Sequence, residues 1–203
     1  QGGHLTQLTA STSHDLYPSW SPDGRQIVYQ TNEGGDQELA VVDVSSKETR
    51  DLTNNDCNDW SPVWSPVDSW IVFYSDCDGE RNIYKIREDG SKRTQLTFSS
   101  GVYNWFPSWS PDGKTITFSS NRSGKYAIYV MGASGENQKK LAEGCVSYFS
   151  PDGTQILYGV YCDDTDDLFV MNADGSNQTA LTDGYECKNA TWSPDGKSIV
   201  FQL

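Results

Sequence analysis

The strongest constraint on the fold is a short motif that recurs along the whole chain. The tetrapeptide Ser-Pro-Asp-Gly occurs four times, at Ser21–Gly24, Ser110–Gly113, Ser150–Gly153 and Ser193–Gly196. A degenerate fifth copy, Ser65-Pro66-Val67-Asp68, completes a series in which successive serines are 40–45 residues apart. An aromatic residue precedes every copy, and a Leu-Thr pair, or Leu141-Ala142 in its place, keeps the same period. Two motifs in constant phase show that the 203-residue chain is built of repeats.

Each repeat has the pattern of four short β-strands. Pro-Asp-Gly predicts a tight turn after strand one, because Pro presets φ and Gly accepts a positive φ. Strand two alternates Ile with an aromatic residue, as in Ile71 and Phe73, and the positions between them are also mostly apolar, which is typical of a strand buried on both faces. Strand four ends in the polar Leu-Thr segment and is expected to be outermost. The sequence therefore predicts an all-β fold, a β-propeller of five recognisable four-stranded repeats, with a β-solenoid as the alternative.

The third and fifth repeats resemble those of TolB-like β-propellers. Both Trp109–Phe118 and Trp192–Phe201 read aromatic-Ser-Pro-Asp-Gly-Lys-x-Ile-x-Phe, and the third repeat continues with Ser119–Gly124 and Ile128–Met131. The resemblance covers essentially the whole chain. It implies the propeller fold rather than one function, because relatives include a periplasmic binding protein, the gating propellers of prolyl-oligopeptidase-like proteases and some sugar lyases.

The repeats make residues 1–203 one propeller domain whose last blade is incomplete. The units are 10–53, 54–97, 98–142, 143–182, and 183–203 closing with 1–9. Strand three of the closing blade has no counterpart in the sequence. Three interpretations follow: a part of a propeller of six or more blades, an irregular closing blade, or a strand donated by a neighbouring molecule. The start at Gln1, without Met, predicts a removed signal peptide or a longer parent protein.

The five cysteines fall into two sets by their phase in the repeat. Cys77 and Cys162 follow their repeat serines, in the loop between strands two and three, here the 2–3 loop. Cys57, Cys145 and Cys187 precede theirs, in the loop that leads into strand one, here the 4–1 loop. Both loops of a blade emerge on one face, which predicts disulfides Cys57–Cys77 and Cys145–Cys162 and leaves Cys187 unpaired. The alternative is five free thiols. Disulfides would place the protein in an extracellular or periplasmic setting.

Aromatic residues gather in and beside the 4–1 loops. They are Tyr17, Trp60, Tyr103, Trp105, Tyr148 and Tyr185. In a propeller these positions surround the axis on one face, among carboxylates and amides. Such a surface suits gripping a peptide or stacking on a sugar ring, and the alternative is packing between neighbouring loops.

Acidic residues gather in the 2–3 loops of the second and fourth repeats. They are Asp76, Asp78, Asp163, Asp164, Asp166 and Asp167. Clustered carboxylates suit Ca²⁺, so these loops are a candidate calcium site, with a solvated acidic rim as the alternative. No other cofactor is expected, and the absence of Cys-x-x-Cys disfavours a structural zinc site.

Charge and composition exclude several classes of function. The formal net charge of −13 argues against nucleic-acid binding and against docking on anionic lipid. The longest apolar run, Trp70–Tyr74, is too short to span a membrane. There is no Gly-x-Ser-x-Gly nucleophile motif, and His4 and His14 are too few for a histidine-rich metal site.

These observations predict a non-enzymatic, secreted or periplasmic propeller that recognises a protein or peptide partner through its aromatic and acidic loop face. One alternative is a carbohydrate-binding or carbohydrate-active domain, with or without Ca²⁺. Another is a structural subunit of an extracellular assembly, in which copies join through the open strand edge of the incomplete blade.

Overall fold

The computed structural model describes residues 5–160, 167–184 and 187–202, which contain 18 β-strands and no helix. The first two sheets, blades 1 and 2, comprise β1 (Leu16–Trp20), β2 (Gln26–Thr31), β3 (Glu38–Asp43) and β4 (Thr49–Asp51), then β5 (Asp59–Trp64), β6 (Trp70–Ser75), β7 (Asn82–Arg87) and β8 (Thr94–Gln95). Blades 3 to 5 comprise β9 (Asn104–Trp109), β10 (Thr115–Ser120), β11 (Ala127–Gly132) and β12 (Lys139–Glu143), then β13 (Val146–Phe149), β14 (Gln155–Gly159), β15 (Leu168–Asn172) and β16 (Thr179–Ala180), then β17 (Lys188–Trp192) and β18 (Ile199–Gln202).

The strands form antiparallel sheets in sequence order, which confirms the predicted β-propeller architecture. Blades 1 to 4 each have four strands, and β17 and β18 form a two-stranded sheet. The first strands of successive blades contact one another, β1 with β5, β5 with β9 and β9 with β13, so strand one is innermost. No described helix is long and apolar enough to cross a membrane.

The Ser-Pro-Asp-Gly turns are held by one repeated hydrogen-bond network. In blade 3 the Ser110 hydroxyl donates to Asp112 at 2.7 Å, and the backbone N–H groups of Lys114 and Thr115 donate to Asp112 and Ser110. Gly113 takes the positive φ of 68° that the turn requires. The serine hydroxyl makes the same bond in Ser21–Asp23, Ser150–Asp152 and Ser193–Asp195. Hydrogen bonds, first from Ser110 and then from Lys114, lower the pKa of Asp112.

Replacing Asp112 with asparagine is expected to lower the melting temperature at neutral pH and to change little in acid. A carboxyl group whose pKa is lower in the folded protein stabilises the fold above its unfolded pKa of about 3.9, and this contribution is lost as the pH falls through the folded-state value. Melting curves of the two proteins at descending pH measure the difference. A difference that persists undiminished in strong acid would contradict the proposed role of the carboxylate.

The hydrophobic core lies between the blades rather than within one sheet. At the first junction, Val28 and Leu39 of blade 1 pack with Ile71 and Phe73 of blade 2, and all four are fully buried or nearly so. The other junctions repeat this arrangement. Strand two is thus buried on both faces in blades 1 to 4, as the apolar runs predict. In blade 5 the prediction fails, because Val200 and Phe201 of β18 are exposed where no further described strand covers them.

The repeat tryptophans show how each blade covers the next. Trp64 and Trp109 are 3% and 6% exposed, and the Trp109 indole donates to the Val63 carbonyl of the preceding blade at 3.1 Å. Trp20 is 57% exposed, because no described blade packs on the face that carries it. A residue of the same motif is therefore core in one repeat and surface in another.

The Leu-Thr pair closes blades 1, 2 and 4 with a side-chain hydrogen bond. In blade 2 the Thr97 hydroxyl accepts from the Ile83 N–H and donates to Asn82 Oδ1, both at 2.9 Å. Equivalent hydroxyls link Thr53 to Leu39 and Glu38, and Thr182 to Leu168 and Asp167. In blade 3 the positions equivalent to Thr97 and Asn82 are both alanine, Ala142 and Ala127. No side-chain bond is possible there, and the backbone pairing of β11 with β12 includes both residues.

A β-bulge interrupts the innermost strand of four blades at one repeat position. The residues there have φ between 47° and 53° and lie four residues before the repeat serine: Tyr17, Ser61, Phe106 and Asn189. A bulge bends the strand and re-aims the side chains around it. Trp60 and Trp105 directly precede two of these bulges, so the bulges set the direction of the aromatic residues described next.

Candidate binding face

In blades 1 to 3 a repeated hydrogen bond fixes the 4–1 loop to the 2–3 loop. An Asn or Asp side chain of the 2–3 loop accepts from a backbone N–H of the 4–1 loop, in the pairs His14 to Asn32 (2.9 Å), Asn58 to Asp76 (2.8 Å) and Tyr103 to Asn121 (2.8 Å). These loops therefore lie on one face of the propeller, here called the mouth face.

A disulfide reinforces the mouth face in blade 2. Cys57 and Cys77 are bonded, with their Cα atoms 4.9 Å apart, which confirms that predicted pair. Cys145 is disulfide-bonded and buried, and its predicted partner Cys162 lies outside the described residues. Cys187 is buried and free.

On the mouth face, between blades 2 and 3, an arginine lies among aromatic rings. The Arg81 guanidinium carbon lies 5.1 Å from the ring centroid of Trp60 and 5.6 Å from those of Tyr103 and Trp105. These distances are those of cation–π contacts. Arg81 belongs to the 2–3 loop of blade 2, and its backbone carbonyl accepts from the Asn104 N–H of blade 3 at 2.8 Å. Arg81 and Trp60 of blade 2 and Tyr103 and Trp105 of blade 3 therefore form one group, here called the Arg81 cluster.

Three further rings, of Tyr74, Tyr126 and Phe106, pack against the Arg81 cluster. Tyr74 stacks on Trp60 with centroids 5.1 Å apart, and Tyr126 stacks on Trp105 at 4.8 Å. Phe106 lies edge-on to Tyr74 at 5.9 Å and joins the two stacks. Packed rings of this kind lose little side-chain freedom when a ligand binds, which favours recognition.

Two further tyrosines of the expected set lie on the first strands of their blades. Tyr17 belongs to β1 and Tyr148 to β13, and they keep 52% and 44% of their surface exposed, so both side chains are accessible.

The structure brings together part of the aromatic set expected from the sequence. Trp60, Tyr103 and Trp105 form the Arg81 cluster, whereas Tyr17 and Tyr148 lie on the first strands of blades 1 and 4. Tyr185 lies outside the described residues. Arg81 was not singled out by the sequence reasoning. The available signal is its phase, because Arg81 and Tyr126 each directly precede strand three of their blades.

The two candidate calcium ligands of the blade 2 loop, Asp76 and Asp78, are engaged in local hydrogen bonds. Asp76 accepts hydrogen bonds from the backbone N–H and the side-chain amide of Asn58. Asp78 accepts from the side-chain amides of Asn82 and Gln95 at 2.9 and 2.6 Å. In blade 4, Asp167 accepts from Thr182. The remaining members, Asp163, Asp164 and Asp166, lie outside the described residues. Within the described ranges no three His, Cys, Asp or Glu side chains are grouped to hold a metal ion, and the calcium site stays a prediction.

A buried ion pair anchors the strand that carries Trp60. Asp59 is fully buried and pairs with Arg93, with guanidinium-to-carboxylate distances of 3.0 and 3.3 Å. Arg93 also donates to the Ser75 hydroxyl and lies over the rings of Phe73 and Tyr84. Because Arg93 directly precedes β8, its bonds to Asp59 and Ser75 tie the start of β5 and the end of β6 to the outermost strand of blade 2.

Comparison with known proteins identifies the repeat. A family model described as the TolB beta propeller domain matches residues 1–147. The TolB homolog of Chlorobaculum tepidum is 40% identical over 100 residues, which are 49% of this chain and 23% of that protein. The chain spans a third or less of the length of the curated relatives it matches.

Solved structures share the fold across proteins of different activity. A candidate TolB from Agrobacterium tumefaciens superposes with a TM-score of 0.83 at 21% identity, over 96% of this chain and 71% of its own. An oligogalacturonate lyase in complex with manganese gives a TM-score of 0.74 at 18% identity, over 95% of this chain and 63% of its own. At these identities the likeness concerns the fold alone.

Proposed function

Because this chain belongs to the family of TolB β-propeller domains, we propose that it is a non-enzymatic propeller that binds a protein or peptide partner at its mouth face. The observation that carries the proposal is the Arg81 cluster. Its rings are partly exposed, held by stacking, and placed on loops that hydrogen bonds and a disulfide fix in position. Fixed aromatic and arginine side chains are the residues that dominate binding at protein interfaces.

We also propose a location outside the cytoplasm, extracellular or periplasmic. The Cys57–Cys77 disulfide supports it, because such bonds persist in oxidising compartments. Its position supports the binding proposal as well, since it joins the two loops that border the Arg81 cluster.

The competing functions predict different ligands for the same face. A carbohydrate-binding domain would also use exposed rings, and at 18% identity the likeness to a lyase concerns the fold alone. A subunit that assembles through its strand edge would need no ligand at the mouth face. Peptide binding that depends on the mouth-face rings separates the proposal from both.

Replacing Tyr103 with alanine is expected to weaken the binding of peptides selected from a displayed random library on the immobilised protein. Tyr103 is 43% exposed and contributes one wall of the Arg81 cluster, so its loss removes contact area without opening the core. A loss of about tenfold or more in affinity is expected for a central interface residue. Affinities are measured by fluorescence anisotropy of the selected peptides.

The matched control is Trp70→Ala. Trp70 is also a partly buried aromatic residue that contacts an arginine, Arg87, at 4.3 Å, but it lies at the start of β6, at the opposite end of blade 2. Its replacement is expected to leave peptide binding unchanged. Selected peptides that bind the Tyr103→Ala protein as tightly as the unsubstituted one would overturn the assignment of the mouth face.

A further inference from the structure

Arg81 is the one arginine whose guanidinium has no hydrogen bond or ion pair with the described residues. The other five each have an acceptor, in the pairs Arg25–Asp23, Arg50–Glu88 (backbone carbonyl), Arg87–Ser69, Arg93–Asp59 and Arg122–Asn104. Arg81 makes only the ring contacts described above. A guanidinium carries five N–H donors, and in Arg81 all of them lack a described acceptor.

The surrounding rings leave these donors available. Cation–π contacts engage the charge of the guanidinium and do not supply the oxygen acceptors that its N–H groups require. Contacts with three rings therefore restrict the position of the group without satisfying its hydrogen-bonding capacity. Arg81 is partly exposed, so a ligand can reach it from solvent.

The nearby carboxylates do not neutralise Arg81, although they belong to the same loop. Asp76 accepts from Asn58, Asp78 from Asn82 and Gln95, and Glu80 from the Gly101 N–H at 3.0 Å. Each is turned to a local partner. In a protein of net charge −13, an arginine left without an anionic partner on a binding face is a specific recognition element.

We infer that Arg81 binds a carboxylate of the partner, gripped between Trp60, Tyr103 and Trp105. The inference rests on the proposed function and names the chemistry recognised there. A carboxylate matches the planar fork of a guanidinium with two parallel hydrogen bonds, and the aromatic walls add contact with the apolar atoms beside it. A singly charged carboxylate also meets less repulsion from the acidic loops than a doubly charged phosphate does.

Two matched small probes test the carboxylate directly. N-acetylphenylalanine carries an aromatic ring and a free carboxylate, and N-acetylphenylalaninamide differs only in that the carboxylate is an amide. Both are titrated into the ¹⁵N-labelled protein while the indole N–H signals of Trp60 and Trp105 are followed by NMR. The carboxylate is expected to bind about tenfold or more tightly than the amide, the size of a charge-assisted hydrogen-bonded pair. Equal affinity, or no shift with the carboxylate, would overturn the inference.

A third probe distinguishes the two possible sources of the carboxylate. The dipeptide N-acetyl-Phe-Asp-amide has the carboxylate of an aspartate side group and no terminal one. Tighter binding of this probe than of N-acetylphenylalanine assigns the site to an acidic residue within the partner, and the reverse order assigns it to the carboxyl terminus of the partner. Either order supports recognition of a carboxylate.

Substitutions of Arg81 test whether this residue causes the preference for the carboxylate. Arg81→Ala is expected to abolish the preference for the carboxylate, and Arg81→Lys to retain part of it, because an ammonium keeps the charge but loses the planar fork. Arg87→Ala, which removes the arginine stacked on Trp70 at the other end of the blade, is expected to change nothing. A carboxylate preference that survives Arg81→Ala would overturn the inference.

The proposed function and this inference fail in different ways. If library peptides bind and lose affinity with Tyr103→Ala but not with Arg81→Ala, the mouth face binds a partner and the carboxylate assignment is wrong. If the probes show an Arg81-dependent carboxylate preference while no library peptide is retained, the Arg81 site stands and the peptide-binding function is wrong.

Discussion

Replacing Arg93 with alanine is expected to lower the free energy of unfolding by about 3–5 kcal/mol. The change leaves the Asp59 carboxylate fully buried, with the side-chain amide of Asn55 at 3.1 Å as its remaining described side-chain partner. Removing one member of a buried ion pair is costly because the other charge cannot regain its hydration. Urea denaturation followed by circular dichroism measures the loss.

Blade 3 supplies a matched control for this prediction. Arg122 lies over Phe118 and Tyr129 as Arg93 lies over Phe73 and Tyr84. Its acceptors are all neutral: the amide oxygens of Asn104 at 2.9 Å and Gln138 at 2.6 Å, and the Ser120 hydroxyl at 3.0 Å. Arg122→Ala is therefore expected to cost less, about 1–3 kcal/mol.

The double replacement Arg93→Ala with Asp59→Asn is expected to recover part of the stability lost in Arg93→Ala, because it removes the buried charge. If Arg93→Ala and Arg122→Ala lower the free energy of unfolding equally, the loss comes from the ring contacts rather than from the unpaired Asp59 charge.

Replacing Gly135 with alanine is expected to destabilise the protein by about 2–4 kcal/mol, from backbone strain together with overpacking. Gly135 has a φ of +90°, and a Cβ there would lie 2.7 Å from the Leu96 carbonyl oxygen of blade 2. Because the obstructing atom belongs to the backbone, the strain cannot be relieved by turning a side chain. Blades 2 and 3 would have to separate, and the Arg81 cluster spans that junction.

Gly124→Ala isolates the contribution of the contact. Gly124 has nearly the same φ, +91°, but nothing lies within 4 Å of a Cβ built on it. This variant is expected to cost about 1–2 kcal/mol, from backbone strain alone. Thermal and urea unfolding of the two variants give the comparison, and near-ultraviolet circular dichroism reports whether the aromatic cluster is disturbed. Equal costs for the two glycines would show that the approach to Leu96 is relieved elsewhere.

The sequence was informative wherever the repeat phase determines position. The phase placed Cys57 and Cys77 on adjacent loops and brought Trp60, Tyr103 and Trp105 to one face, because residues at equal distance from the repeat serine occupy equivalent sites in successive blades. It predicted strands buried on both faces for the same reason. These predictions needed only the period and the order of the strands.

Features that depend on the neighbours of a residue could not be predicted in this way. The strand-one bulge holds Tyr17, Ser61, Phe106 and Asn189, and only asparagine among these favours a positive φ, so the residue types do not reveal it. The isolation of Arg81 depends on where the nearby carboxylates turn, which is decided by hydrogen bonds within the loops. Trp20 carries the same motif as Trp64, yet its exposure depends on whether another blade covers it.

The threonine hydroxyl that closes blades 1, 2 and 4 constrains how such repeats can diverge after duplication. Where the closing residue is threonine, the residue at the start of strand three, or directly before it, is Glu38, Asn82 or Asp167, an acceptor for that hydroxyl. Where it is Ala142, the neighbour is Ala127, which needs no donor. Losing the threonine alone would deprive a buried acceptor, such as Asn82 Oδ1, of this donor. Descent from one ancestral unit to these variants therefore favours compensated double substitutions over single ones.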